Sequence, residues 1–120
     1  MAQEKTHPEP LASPIYEAKL PTGQSVKMRE LTGMDELHAM AEIGEADNSQ
    51  ARTRLQWSLM ARSMVEIDGA PVDPSLMTPE AFRNRFARKD WFCLLELFDT
   101  VQSPEEAEAE SFRSSIRVTA

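Results

Sequence analysis

The stretch Leu59-Met60-Ala61-Arg62-Ser63-Met64-Val65-Glu66-Ile67-Asp68-Gly69-Ala70-Pro71-Val72 is where a helical period gives way to a turn, and its reading decides the fold class. At about 100° per residue, Trp57, Met60, Ala61 and Met64 fall on one arc, and Leu55 and Leu59 on another, with Ala51 and Val65 between them. The spacing predicts a helix from about Gln50 to Glu66. Its apolar arc is wider than the stripe of an ordinary surface helix, so it is either central in the core or contacted on two sides. Ile67 to Val72 then sets an Asp-Gly pair between short apolar flanks, which reads as a tiny hairpin or a plain loop.

Upstream, Ile15 to Leu20 alternates, with Tyr16, Ala18 and Leu20 on one side. Pro21-Thr22-Gly23-Gln24 supplies turn chemistry, and Val26 and Met28 alternate with Lys27 and Arg29 on the return. A lone hairpin is marginal in water, so this one must lie on helices, pair with another strand or meet a partner. Thr32 with Asp35 and Glu36 resembles a helix start. A helix from about Gly33 to Glu45 places Leu37, Met40, Ala41 and Gly44 along one face. Asp47-Asn48-Ser49 supplies the next cap.

Downstream, Thr78-Pro79-Glu80 is a strong helix start, with Phe82 and Phe86 sharing a face and Arg83, Arg85, Arg88 and Lys89 covering the rest. Asp90 is read as the cap of a helix from Trp91 to about Val101, whose stripe is Trp91, Leu94, Leu95, Phe98 and Val101. Ser103-Pro104-Glu105-Glu106 is a further capping box. The fold expected is mainly α, with four to five short helices and a small N-terminal β-hairpin, burying Leu37, Leu55, Leu59, Leu94, Leu95 and Phe98. Residues 1–13 read as a disordered leader, 14–112 as a single helical domain, and 113–120 as a flexible C-terminal tail.

The chain has 120 residues, 41% of them hydrophobic, and a net charge of -7. That balance disfavours general nucleic-acid binding. No apolar run reaches the ~20 residues of a membrane span, and no apolar signal core opens the chain. One cysteine excludes an internal disulfide framework and fits a reducing compartment. With Cys93, His7 and His38 the only soft or imidazole ligands, a structural zinc site is close to excluded, and no cofactor is implied. Cys93, amid Trp91-Phe92-Cys93-Leu94-Leu95, reads as a small buried hydrophobe, and His38 as a partly exposed surface histidine. No nucleophile elbow and no Gly-rich phosphate loop occur, and acid pairs stand where helix N-termini want them, so the chain reads as a non-enzyme.

The run Arg83, Arg85, Arg88 and Lys89 is the local exception to the acidic balance and reads as a solvated face or a surface for an acidic partner. One such partner is the chain's own Glu105-to-Glu110 segment. Six methionines lie beyond the first, and methionine recurs on surfaces that accept varied apolar helices. Trp57, Met60 and Met64 on one over-wide arc are what a helix-in-groove receptor offers.

The order of segments adds to this. A strand-turn-strand returns as Ser25-Val26-Lys27-Met28-Arg29-Glu30-Leu31-Thr32, and a helix opens with Met34-Asp35-Glu36-Leu37. Leu59 to Val72 follows, then Arg88-Lys89-Asp90-Trp91-Phe92 and a closing Val101-Gln102-Ser103-Pro104-Glu105-Glu106. This resembles the small tail assembly chaperones of tailed bacteriophages and prophages, with their "LPSG…VxVRELT" opening, "VxxDGxPV" turn and "SPEE" ending. The resemblance spans roughly residues 15–110 and brings no catalytic motif. It implies a cytoplasmic protein, absent from the mature virion, that holds apolar helical segments of the tape measure protein and recruits tail tube subunits. The candidate partner-binding set is Trp57, Met60, Met64, Phe82, Phe86, Trp91 and Phe98. Surplus apolar surface on the second helix also argues for self-association without a client. The competing expectations are a minor tail or baseplate protein retained in the virion, and a generic bacterial adaptor.

Overall fold

A computed structural model of the chain describes residues 14–44, 48–103 and 106–115. The expected leader lies outside the described residues, as do Pro104 and Glu105 of the expected capping box and residues 116–120 of the expected tail. The chain runs β1 (Tyr16–Lys19), β2 (Ser25–Met28), α1 (Gly33–Ile43), α2 (Ser49–Ser63), β3 (Met64–Ile67) and β4 (Ala70–Pro71). A 3-10 turn (Pro74–Leu76), α3 (Pro79–Arg83), α4 (Arg88–Gln102) and α5 (Glu106–Ser115) complete it. The strands form one antiparallel sheet in the order β1-β2-β3-β4.

This corrects the mainly-α expectation: the protein is α+β, and the difference arises between Leu59 and Val72. The second helix stops at Ser63, and the next residue enters a strand directly, with Met64 at φ -78 and ψ 128. The former helix end, Met64 to Ile67, pairs with β2. Val26 faces Ile67, but the register slips between Lys27 and Met28, so Met28 faces Met64 rather than Val65. This bulge turns both Met64 and Ile67 inward although they are three apart. A spacing of three reads as helix in sequence, which is why the strand looks helical there. Its partner is also nearly forty positions away, beyond any local window.

The Asp-Gly pair is a hairpin turn. Asp68 at φ 52 and Gly69 at φ 83 both take positive φ, as a two-residue type I′ turn demands. Asp68 also accepts from the Ser25 amide at 2.9 Å and donates its own amide to the Ser25 carbonyl at 2.7 Å. The turn is thereby stitched to the start of β2. Pro71 sits on the edge strand, where a missing donor does no harm and discourages further pairing.

Several local expectations hold. The N-terminal hairpin pairs Tyr16 with Met28 and Ala18 with Val26. Thr32 and Asp35 form a reciprocal capping box on α1, Asn48 caps α2, and Thr78 caps α3 with Pro79 in its first turn. Three further boundaries differ. α3 ends at Arg83, so Phe86 lies beyond it instead of sharing a helix face with Phe82. α4 starts at Arg88 with Ala87 as an N-cap that offers no side-chain bond, so Asp90 lies inside the first turn instead of capping. α5 continues to Ser115, into the expected tail.

The core lies between the inner face of the sheet (Val26, Met28, Met64, Ile67) and α2, α3 and α4, which contribute Met60, Phe82, Trp91 and Leu94. An aromatic cluster forms its centre: Phe82 lies 5.3 Å from Phe86 and 6.0 Å from Trp91, and Trp57 meets Trp91 edge-on at 6.3 Å. Of the six residues expected in the core, Leu94 is fully buried, and Leu55, Leu59, Leu95 and Phe98 are half-buried. Leu37 is a correction: it is 59% exposed. Cys93 is another, lying exposed on the side of α4 opposite the Trp91-Leu94-Val101 stripe.

Candidate functional site

The first helix packs against α2 with its polar side. Arg29, at the end of β2, reaches Asp35 with both guanidinium nitrogens, at 2.8 and 3.2 Å, and also donates to the Arg62 carbonyl at 2.9 Å. About two turns further along α1, the Ser58 hydroxyl donates to Glu42 at 2.6 Å and Arg62 to the same carboxylate oxygen at 3.2 Å. Between these two clamps only Ala39 is fully buried on α1. Its small side chain lets the helices approach closely. Gln102, at the end of α4, closes the other side by accepting from the Leu31 amide and donating to the Arg29 carbonyl.

With Asp35, Ala39, Glu42 and Ile43 on the inner side, the apolar stripe of α1 has to point outward. Met34 is 58% exposed, Leu37 59% and Met40 56%. They stand three residues apart on one helix, and Ala41 beside them is exposed as well. An amphipathic helix held by its polar face, apolar face to solvent, inverts the usual arrangement. Such a row of large apolar side chains is a candidate interaction surface. The flexible thioethers of Met34 and Met40 suit it to apolar partners of varied shape.

The clamp is electrostatically strong. The Arg29 guanidinium, against some opposing desolvation and aided by the Thr32 amide, holds the Asp35 carboxyl down from 3.8 to about 2. A folded-state value below the unfolded one contributes stability above pH ~4 and loses it as the pH falls toward ~2. The Asp35→Asn variant should therefore lack an acid-sensitive component of about 1–2 kcal/mol, after allowance for solvent screening at a partly exposed pair. Urea midpoints of the two proteins measured across that window should converge at the acid end. Equal separation at every pH would show that the ion pair does not anchor α1.

The seven residues of the expected partner-binding set divide. Met60, Met64, Phe82, Phe86 and Trp91 are buried in the core, while Trp57 and Phe98 are half-buried at its edge. The wide apolar arc of α2 has two neighbours in its own chain. Met60, Ala61 and Trp57 meet the core, and the arc bearing Leu55, Ser58, Leu59 and Arg62 lies toward α1. The structure thus brings the aromatic members together as a core rather than as a surface. Leu37, Met40 and Ala41 were legible as one face, without Met34, and no feature local to that helix shows which way it points.

Trp57 does keep one open edge. It lines a hollow of about 380 Å³ with Ser49, Gln50, Thr53 and the Arg54–Glu80 ion pair, which lowers the Glu80 carboxyl. Among the described residues no group of three or more His, Cys, Asp or Glu side chains is placed to hold a metal ion. No helix among them is long and apolar enough to cross a membrane. No protein-family model, curated protein or solved structure matches the chain.

Proposed function

We propose that this protein is a tail assembly chaperone of tailed bacteriophages or prophages, which holds apolar helical segments of the tape measure protein in the host cytoplasm until the tail tube forms. The observation that carries the reading is the outward row of Met34, Leu37 and Met40, presented on a helix that polar clamps fasten on its opposite side. The order of sequence segments that resembles the chaperone family supports it. An apolar client helix laid on this row gains ~1.5–3 kcal/mol for each large side chain it fully buries. The net charge of -7 keeps the loaded complexes apart. The reading assigns no catalytic step to the chain.

Co-expression with the tape measure protein of the same genome tests it. The expected result is that the client becomes soluble and co-purifies, and that purified particles lack this chain. A client that stays insoluble and uncaptured contradicts the proposal. So does finding the chain at fixed stoichiometry in particles, which would mark it as a tail or baseplate component.

A further inference from the structure

The start of α4 carries a second surface, unrelated in composition to the stripe on α1. Of the eleven cations among the described residues, five, Lys27, Arg29, Arg54, Arg62 and Arg113, each face a carboxylate. Arg83 lies over the Trp91 ring at 4.5 Å and donates to the Phe86 carbonyl. Arg85, Arg88 and Lys89 are exposed and face no carboxylate among the described residues. Within the same few residues Phe92 is 55% exposed, with the Arg88 guanidinium 5.4 Å above its ring. Ala87, Arg88, Lys89 and Phe92 line a shallow hollow of about 490 Å³.

Beyond the stacking of Arg88 on Phe92, the fold gives no reason for this placement. Arg88 and Lys89 occupy the first turn of a 15-residue helix, where the macrodipole disfavours cations. An exposed phenylalanine there adds nothing to the core. Groups that break a local rule with no structural return point to recognition. The chain's own acidic helix does not answer them, because Glu108 lies at the far end of α4 beside Tyr16, Glu30 and Gln102.

We infer that Arg85, Arg88, Lys89 and Phe92 form a docking site for an acidic peptide segment of another protein that carries an apolar side chain among its carboxylates. The three cations complement its charge, and Phe92 with its hollow takes the apolar residue. A protein segment fits better than a nucleic acid or an anionic membrane. Both of those are extended polyanions that meet the field of the whole -7 chain, whereas a short segment meets mainly the patch. The site stands apart from the α1 stripe and does not rest on the chaperone reading.

The test uses the full chain and a short fluorescent helical peptide bearing several glutamates around one leucine. Binding should weaken as salt rises. The triple variant R85Q/R88Q/K89Q and the single variant F92A should each weaken it about ten-fold, as expected for central charged and aromatic contacts. Replacing the peptide's leucine by serine should do the same. Q50E/Q56E/T100E changes the net charge equally at exposed positions elsewhere and should leave affinity within about two-fold, since screened distant charges matter little. Removing cations from a helix start relieves the dipole, so the triple variant should melt no lower than the parent. Unchanged peptide binding in the triple variant would overturn the proposal. So would tighter binding of a DNA duplex or of phosphatidylserine vesicles than of the peptide, or a self-associated state that only the triple variant dissolves, which would make a second copy the occupant.

Discussion

Replacing Phe82 by alanine is expected to remove about 3–5 kcal/mol of stability, the usual cost of deleting a fully buried aromatic ring. Phe82 has no exposed surface and is the hub of the aromatic cluster, touching both Phe86 and Trp91 edge-on. Its place is fixed by a very short helix. Thr78 accepts from the Ala81 amide, Pro79 presets the first turn, and after Arg83 the chain turns so that Phe86 comes back to the same site. With no continuous helix to bring neighbours into the vacated space, the cavity should collapse poorly. Against a total of about 5–15 kcal/mol for a domain of this kind, the loss is a large share. Urea denaturation should show a much lower midpoint. A shift under about 1 kcal/mol would mean the cluster is not packed as described.

The second large effect is expected at Asp90. This carboxylate is 1% exposed, in the first turn of α4, and accepts from both the amide of Thr22, at 3.0 Å, and its hydroxyl. Thr22 lies in the turn between β1 and β2, so the pair joins the sheet's first hairpin to the last large helix. Hydrogen bonds to charged groups contribute about 1.5–3 kcal/mol, and Asp90→Ala should cost an amount in that range. The effect should be shared with Thr22. If the bond is the cause, the Thr22→Val and Asp90→Ala losses will fall short of additivity by about 1 kcal/mol or more in a double-mutant cycle. Strict additivity would assign the loss to the helix start alone.

Much of this architecture was legible because its signals are local. The alternation of Tyr16, Ala18 and Leu20 against Val26 and Met28, the Thr32 box and the Thr78-Pro79 start each need only a few neighbouring residues, and each is found in place. The third strand was not legible, because its bulge spaces Met64 and Ile67 like helix positions and its pairing partner lies far along the chain. The same limit applies to the site. An apolar face with Leu37, Met40 and Ala41 is visible in sequence, and such a face is ordinarily buried. Its outward direction is imposed by Arg29, Ser58 and Arg62, which take hold of Asp35 and Glu42 on the opposite side. The position of Cys93 was within reach, since it falls opposite the apolar stripe of its own helix.

The burial of Met60, Met64, Phe82, Phe86 and Trp91 moves the proposed contact surface from the stretch between α2 and α4 to α1. It also separates two properties that the sequence joined. Changes in the core should alter stability, whereas changes on the stripe should alter only what the protein holds.

The most direct measurement is therefore the co-expression assay repeated with the double variant Leu37→Asp/Met40→Asp. Both positions are more than half exposed, so stability should stay within about 0.5 kcal/mol of the parent. The account predicts a folded variant that no longer keeps the tape measure protein in solution. A folded variant that solubilises it as well as the parent does would contradict the account.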